Sequence, residues 1–290
     1  MPHLSAALPD TLISLVVDAL EEDHAAADAT SMAVVPAEAW AEGKIIAKAN
    51  GVLAGTGFAD FAFSRGFGDS SGAIHWFASD GDAVQAGSEI MTICGPARAL
   101  LGAERTALNF LQQLSGVATL TSKAVSEAGE IQVFDTRKTT PGLRDAQKLA
   151  VVAGGGVNHR RDLEDQLLLK ENHFALSGLT YSETIAKAMT EAGSKPVGVE
   201  AETEEQARLA LQAGATYVML DDFLPVDLQN VAPKLRKEFP NAVLEVSGSL
   251  TPQRLAVLRD CGITRVSIGA LTHSAPALDL SFQLSSCPQP

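Results

Sequence analysis

The sequence has few cysteines and no long apolar run. Its three cysteines, Cys94, Cys261 and Cys287, form no C-x-x-C spacing and cannot all pair with one another, so we expect reduced thiols. No window reaches the roughly 18 apolar residues that a membrane span needs, and the N-terminus lacks a basic region ahead of an apolar stretch of signal length. These absences predict a cytoplasmic protein that does not bind a membrane.

Positive charge is also scarce. The chain has 22 Lys and Arg against 35 Asp and Glu, which gives a formal net charge of −13 at pH 7. Such a chain repels phosphate backbones and anionic lipid heads at long range, and it has no run of basic residues to offset this repulsion. Nucleic acid is therefore excluded as an expected partner.

The composition favours a packed α/β protein. Hydrophobic residues make up 46% of the 290 residues and aromatic residues only 5%, while 24 glycines supply turns. Leu12 to Glu22 have apolar side chains at helical spacing after Asp10 and Thr11, either of which could cap the helix. From Gly43 to about Pro96 the pattern predicts short strands separated by glycines, a small β-rich domain.

From Leu100 the pattern becomes helical, and after it short apolar strands alternate with helices. The predicted strands are Ile131 to Phe134, Gln166 to Leu169, Pro196 to Val199, Tyr217 to Leu220, Ala242 to Val246 and Arg265 to Ile268. The predicted helices between them include Tyr181 to Ala192, Glu204 to Ala213, Pro225 to Glu238 and Pro252 to Asp260. This alternation indicates a parallel sheet with right-handed crossovers, either closed as a barrel or open.

Polar or small residues follow each predicted strand. They are Asp135, Arg137 and Lys138; Lys170; Glu200; Asp221; Ser247 and Gly248; and Gly269. In a parallel barrel all the carboxyl ends of the strands open on one face, where barrel active sites lie. Because an open sheet would spread these residues along a line, we predict an α/β barrel, incomplete because about six strands are visible.

The segment from Asp135 to Arg161 is basic within an acidic protein. It contains six basic residues, Arg137, Lys138, Arg144, Lys148, Arg160 and Arg161, against Asp135 and Asp145. Arginine matches carboxylates in bidentate fashion and lysine suits phosphate oxygens, so a multiply charged anion is the expected ligand. His159 stands beside Arg160 in a glycine-rich loop and is a further candidate, although a loop histidine can also be purely structural.

The carboxylates at the strand ends suggest a second half of the site. Glu200 and Asp221 could hold a divalent cation or accept hydrogen bonds from sugar hydroxyls; alternatively they neutralise nearby lysines. The small residues around Ser247, Gly248 and Gly269 expose backbone N–H groups beside helix starts, where barrel enzymes commonly bind a phosphate.

Several runs of the sequence are typical of one family. ERTALNFLQQLSGVATLT, DTRKTTPGLRDAQKLAVVAGGGVNHR, LLLKENH, VEAET, MLDDF and SIGALTHSAPALDLSF resemble the signature blocks of quinolinate phosphoribosyltransferase, in the family's order. The resemblance implies an N-terminal α+β domain over residues 1–112 that residues 276–290 rejoin, and a partly open barrel over residues 113–275. It also implies transfer of phosphoribosyl from phosphoribosyl pyrophosphate (PRPP) to quinolinate with decarboxylation, as a step of NAD biosynthesis.

The resemblance also assigns roles to residues of this chain. Quinolinate would be bound by Arg137, His159, Arg160 and the Arg105 of the other subunit of a homodimer, and oxygens of quinolinate or pyrophosphate would be contacted by Lys138 and Lys170. The ribose and Mg²⁺ would be contacted by Glu200 and Asp221. The 5′-phosphate site would be lined by Ser247, Gly248, Gly269 and His273. Of these, Lys138, Lys170, Glu200 and Asp221 would be catalytic, and no organic cofactor is expected. Asp222 and Ser249 depart from the family's usual Asn and Gly.

Three alternatives remain open at this stage. The first is a paralogous pyrophosphorylase associated with molybdenum transport, against which Asn158-His159-Arg160 and the block around Lys170 argue. The second is a Schiff-base barrel lyase that uses Lys170 as its nucleophile. The third is a sugar-phosphate-binding protein without catalytic activity.

Overall fold

The computed structural model describes residues 8–67, 72–248 and 252–289, so Ser249 lies outside the described residues. The chain forms two compact units: residues 1–120, 140–155 and 275–290 make up the first, and residues 121–139 and 156–274 the second. The boundary that we predicted at residue 112 lies inside a continuous helix of 32 residues. Residues 140–155, which we placed in the barrel domain, group with the first unit.

The helices and strands follow in chain order. The helices are α1 (Asp10–Glu22), α2 (Ala29–Val34), α3 (Thr56–Phe67), α4 (Ala97–Ala128), α5 (Arg144–Ala153), α6 (Glu171–Ser177), α7 (Tyr181–Glu191), α8 (Glu204–Gln212), α9 (Pro225–Glu238), α10 (Pro252–Leu258) and α11 (Ala270–His273). The strands are β1 (Trp40–Ala47), β2 (Gly51–Val52), β3 (Ala73–Trp76), β4 (Ala83–Val84), β5 (Glu89–Pro96), β6 (Gln132–Phe134), β7 (Leu167–Leu169), β8 (Val197–Ala201), β9 (Tyr217–Asp221), β10 (Leu244–Ser247), β11 (Arg265–Ser267) and β12 (Leu280–Cys287). Among the described residues, no helix is long and apolar enough to cross a membrane.

The first unit is built on a four-stranded antiparallel sheet in the order β12-β1-β5-β3. The last strand of the chain pairs with β1 from Trp40 opposite Cys287 to Ala47 opposite Leu280, which is the return of the C-terminus that the family resemblance implies. Cys94 and Cys287 are distant in sequence, yet their sulfur atoms lie 3.6 Å apart as free thiols.

The first unit also corrects two local predictions. The β-rich segment contains helix α3, which buries Phe58, Phe63 and Phe67; we took its glycines for strand breakers, whereas apolar side chains surround the helix and hide its amphipathic period. Phe58 stacks on Phe110 with ring centroids 5.1 Å apart. Helix α1 begins after Pro9 with no side-chain cap, so neither Asp10 nor Thr11 caps it.

The second unit is the predicted barrel, and it is incomplete. Its six strands are all parallel, in the order β6-β11-β10-β9-β8-β7, so the first strand pairs with the last. Within the described ranges, β6 and β7 do not pair with each other. Instead the Val157 N–H donates to the Val133 carbonyl at 2.8 Å and the Asp135 N–H donates to the Val157 carbonyl at 3.1 Å. The fold class predicted from the sequence is therefore confirmed.

The strand register gathers the polar residues at one end of this sheet. Ser247 lies opposite Asp221 on one side and Ser267 on the other, and Ser267 lies opposite Phe134. Glu200 lies on β8, next to the strand that carries Asp221. The carboxyl ends of the strands thus open on one face, as in other barrels.

Candidate active site

Two arginines form what we call the cationic side of the site, together with His159. Arg137 follows β6, and its Nε is buried with no hydrogen-bond partner among the described residues. Burial and the nearby positive charge of Arg137 lower the pKa of Arg160, whose guanidinium donates to the Gln166 carbonyl at 3.3 Å. Because like charges so placed repel each other, this arrangement is favourable when an anion lies between them.

His159 is 8% exposed and lies between two aromatic rings. Its backbone N–H donates to Asp135 Oδ1 at 2.8 Å, and its ring Nδ1 accepts from the Arg160 backbone N–H at 2.8 Å. The ring contacts Phe134 and Tyr217 edge-on, with centroids 6.1 and 6.0 Å away. The imidazole is therefore held by protein groups beneath the arginines.

Sequence reasoning missed a buried ionic pair below this histidine. Glu245, fully buried on β10, faces His159 Nε2 at 3.4 Å and accepts from Arg265 Nε at 2.6 Å. Arg265 also lies over the Tyr217 ring, 3.9 Å from its centroid, and Gly198 leaves the room for that ring, since a Cβ there would fall 2.1 Å from Tyr217 Cζ. Facing charged residues within two short apolar strands are the signal that could have revealed the pair.

The opposite side of the site is acidic; we call Glu200, Asp221 and Asp222 the acidic side. Burial raises the pKa of Asp221, and the charges of Glu200 and Asp222 raise it further, against the opposing charge of Lys170 and a hydrogen bond with Ser247. Lys170 Nζ donates to Glu200 Oε1 at 2.5 Å. Glu200 therefore neutralises a nearby lysine, which is one of the two roles that the sequence predicted for these carboxylates.

The acidic side fits a cation that the protein holds only in part. Within the described ranges, no group of three or more His, Cys, Asp or Glu side chains could hold a metal ion by itself. Mg²⁺ usually binds one or two carboxylates and completes its shell with water and substrate phosphates. Crowded carboxylates that raise the pKa of Asp221 are the oxygen donors that such an ion requires.

The predicted phosphate-binding residues lie at two further strand ends. Gly248 has a φ of 124°, which a side chain would strain, and Asp222 Oδ1 lies 3.3 Å from where its Cβ would be. The Lys138 side chain passes over Gly269, with its Cδ 2.9 Å from the position of a Cβ there, and His273 Nε2 lies 3.2 Å from the same point. Lys138, Gly269 and His273 are therefore brought together.

Other basic residues of the segment lie apart from these groups. Arg161 pairs with Asp162 at 3.2 Å and is exposed, and Arg144 and Lys148 lie on α5 in the first unit. Arg105 is exposed on α4, also in the first unit, where it lines a cavity of about 400 Å³ with Leu15, Glu22, Asp23, Asn109 and Leu143. It forms no ion pair with any residue in the described part of the chain.

Family models match nearly the whole chain. Residues 28–115 match the model of the quinolinate phosphoribosyl transferase N-terminal domain, and residues 117–283 match that of its C-terminal domain. The chain belongs to the quinolinate phosphoribosyltransferase family.

Individual relatives agree with this assignment. The chain is 40% identical over 267 residues to the probable nicotinate-nucleotide pyrophosphorylase (carboxylating) of Bacillus subtilis, covering 91% of this chain and 90% of that protein. It is 37% identical to the corresponding enzyme of Mycobacterium leprae, covering 92% and 94%. The crystal structure of NadC from Streptococcus pyogenes superposes with a TM-score of 0.90 at 35% identity, covering 98% of this chain and all of that chain.

Proposed function

We propose that this member of the quinolinate phosphoribosyltransferase family converts quinolinate and PRPP to nicotinate mononucleotide, carbon dioxide and pyrophosphate. Its relatives are named for this activity. The observation that carries the substrate assignment is the buried Arg137 Nε with no partner among the described residues, beside the Arg160 cation. Two planar guanidinium groups suit the two adjacent carboxylates of quinolinate.

The acidic side and the lysines would bind the sugar and its leaving group. We assign Glu200 and Asp221 to the ribose hydroxyls and to Mg²⁺, which when bound would neutralise charge on pyrophosphate. Lys138 and Lys170 would contact pyrophosphate or carboxylate oxygens, while Ser247, Gly248, Gly269 and His273 would surround the 5′-phosphate.

The reaction then needs positioning more than proton transfer. The bond from C1′ to pyrophosphate breaks as the sugar becomes oxocarbenium-like, and the pyridine nitrogen of quinolinate forms the new bond to C1′. Lys138 and Lys170 stabilise the negative charge that develops on the leaving oxygens. The ribosylated nitrogen is positive and accepts the electron pair of the bond from C2 to its carboxylate, so carbon dioxide leaves and C2 takes a proton.

The alternatives are less well supported. A Schiff-base nucleophile must be a free amine, whereas Lys170 Nζ is paired with Glu200 at 2.5 Å. The relatives reported above are named carboxylating enzymes, not molybdenum-transport proteins. A protein that only binds sugar phosphates would release neither pyrophosphate nor carbon dioxide, so the formation of these products excludes it.

We further propose a cytoplasmic homodimer in which Arg105 acts on the quinolinate of the partner's site. Arg105 is exposed and without an ion pair among the described residues, so it is available for such a role.

One assay tests the proposed reaction. Pure protein is incubated with Mg²⁺, PRPP and quinolinate carrying an isotopic label in its C2 carboxylate. We expect nicotinate mononucleotide, pyrophosphate and labelled carbon dioxide in equal amounts. Pyrophosphate release without labelled carbon dioxide, or no product at all, would exclude the proposal.

A further inference from the structure

The pair Glu245 and Arg265 lies inside the barrel, one layer below the site. The two residues face each other in the parallel register of β10 and β11, two residues before Ser247 and Ser267. Side chains two residues apart on a strand point to the same face, about 6.6 Å apart along the strand. Glu245 is fully buried, and the Arg265 side chain is 16% exposed.

The hydrogen bonds around His159 determine which nitrogen carries its proton. A backbone N–H can only donate, so Nδ1, which lies 2.8 Å from the Arg160 nitrogen, must be the acceptor. The Gln166 amide nitrogen lies 3.2 Å from the same Nδ1. A neutral ring therefore carries its proton on Nε2, which faces Glu245 Oε1 at 3.4 Å in an electrostatic contact without hydrogen-bond geometry.

The carboxylate of Glu245 is kept in its charged form. Burial alone would raise the pKa of Glu245, but the His159 Nε2 that faces it, the charge of Arg265 and a hydrogen bond with Ser267 outweigh burial and hold the pKa below its ordinary value. An ionised carboxylate only accepts hydrogen bonds, so it favours a proton on the facing nitrogen of His159.

We propose that Glu245 is a positioning residue for quinolinate recognition: its carboxylate holds His159 with the proton on Nε2, which leaves Nδ1 to fix the backbone at Arg160. This inference rests on the proposed function, because it takes Arg160 as a ligand of quinolinate. Arg265 compensates the buried charge of Glu245 and directs one of its oxygens away from His159. The buried pair thus affects quinolinate binding through the orientation of His159 and does not itself contact quinolinate.

Two double variants separate this role from a merely structural one. Both remove the buried ion pair, so neither leaves a buried charge unpaired. In Glu245→Gln with Arg265→Met, the amide oxygen is free to turn towards His159 and accept a hydrogen bond from its Nε2–H. In Glu245→Met with Arg265→Met, a side chain of similar length places no oxygen opposite Nε2, and leaving a buried polar group against an apolar neighbour costs about 1–3 kcal/mol.

The readouts are steady-state kinetics and the tautomer of His159, observed by ¹⁵N NMR and identified by the signal that the His159→Asn variant lacks. We expect the Gln/Met variant to keep the Nε2 proton and a wild-type KM for quinolinate within about twofold. We expect the Met/Met variant to lose the single tautomer and to raise this KM about tenfold, as a loss of about 1.4 kcal/mol would, with the KM for PRPP unchanged.

Equal tautomers and equal quinolinate KM values in the two double variants would overturn the proposal, as would parallel changes in both KM values. If circular dichroism shows that the Met/Met variant does not fold, the single variant Glu245→Gln replaces it in the test. In that variant Arg265 donates to the amide oxygen, so the amide N–H₂ faces His159 Nε2. An unchanged His159 spectrum in that variant would contradict the proposal. A wild-type protein that does not turn over quinolinate would contradict the proposed function, while the NMR comparison would still test the positioning.

Discussion

The cationic and acidic sides of the site both gather like charges, but the protein supports them differently. Beneath Arg137 and Arg160 lies a buried network in which His159 Nδ1 accepts from the Arg160 backbone and Glu245 Oε2 accepts from Arg265. On the acidic side, the pKa of Asp221 is raised by burial and by its neighbours, and Lys170 is the main opposing charge. We infer that the first side is preformed for a rigid aromatic dianion, whereas the second is completed only when a cation and a flexible sugar phosphate bind.

The cationic side should be sensitive to replacement of its planar cations by a point charge. Arg137→Lys and Arg160→Lys each keep the charge but lose a bidentate contact, and a hydrogen bond to a charged group is worth about 1.5–3 kcal/mol. We expect kcat/KM for quinolinate to fall roughly tenfold to a hundredfold. The matched control is Arg161→Lys, since Arg161 is exposed and paired with Asp162. If the control loses as much activity as the two variants, the cationic side is not the recognition site.

The acidic side should respond to a different substrate. Asp221→Ala removes an oxygen donor from the proposed site of Mg²⁺ and ribose, so PRPP should bind at least about tenfold more weakly, a loss of about 1.4 kcal/mol. Calorimetric titration with Mg²⁺ present measures this, and quinolinate binding should change little. Equal weakening of both ligands would mean that the two sides do not act separately.

Arg105 tests whether a third arginine joins the cationic side from another subunit. Arg105→Ala and Lys170→Ala proteins should each be inactive, and mixing them under conditions of subunit exchange should restore roughly a quarter of the native activity. About half of the dimers would be mixed, each with one intact site of two. Mass labels confirm the exchange. If exchange occurs and activity does not return, Arg105 does not act in trans.

The smallest effect concerns stability and pH on the acidic side. The pKa of Asp221 is raised in the folded protein, so the folded state favours the protonated carboxyl. The contribution of this protonated group to the free energy of unfolding is lost as pH rises through the raised pKa. Asp221→Asn imitates the protonated form. It should raise the melting temperature at pH 7.5 by about 2 °C, and the difference from wild type should shrink near pH 4. A lower melting temperature at pH 7.5 would contradict the crowding of carboxylates described here.

The sequence predicted those parts of the molecule that depend on local pattern. Strand β9 and helix α9 begin where the apolar period indicated, and the residues at the strand ends converge because parallel strands share a direction. Helix α3 was missed because it is apolar on most sides and contains glycines. The pair Glu245 and Arg265 was missed because the register of two parallel strands joined by a helix is not determined by the pattern of either strand alone.

The site residues show the same division. The sequence and the family resemblance could name Arg137, Arg160 and the carboxylates as candidates, since residue type and position near a strand end suffice for that. The family resemblance assigned His159 to quinolinate, which stays a prediction; sequence did not show that its ring would contact Phe134 and Tyr217. Which nitrogen of a histidine faces which partner is a property of packing, and single-sequence patterns do not contain it.

The central claim is that the cationic side recognises two carboxylates at once, and comparing quinolinate with nicotinate tests it most directly. Both have the pyridine nitrogen, but nicotinate lacks the C2 carboxylate, so binding it would leave a half-buried arginine unpaired. A site built to bond a group can reject an analogue that lacks it by about 10⁴-fold. With PRPP and Mg²⁺ at saturation, we predict that kcat/KM for nicotinate is about 10⁴-fold lower than kcat/KM for quinolinate. Equal values for the two acids would contradict the account.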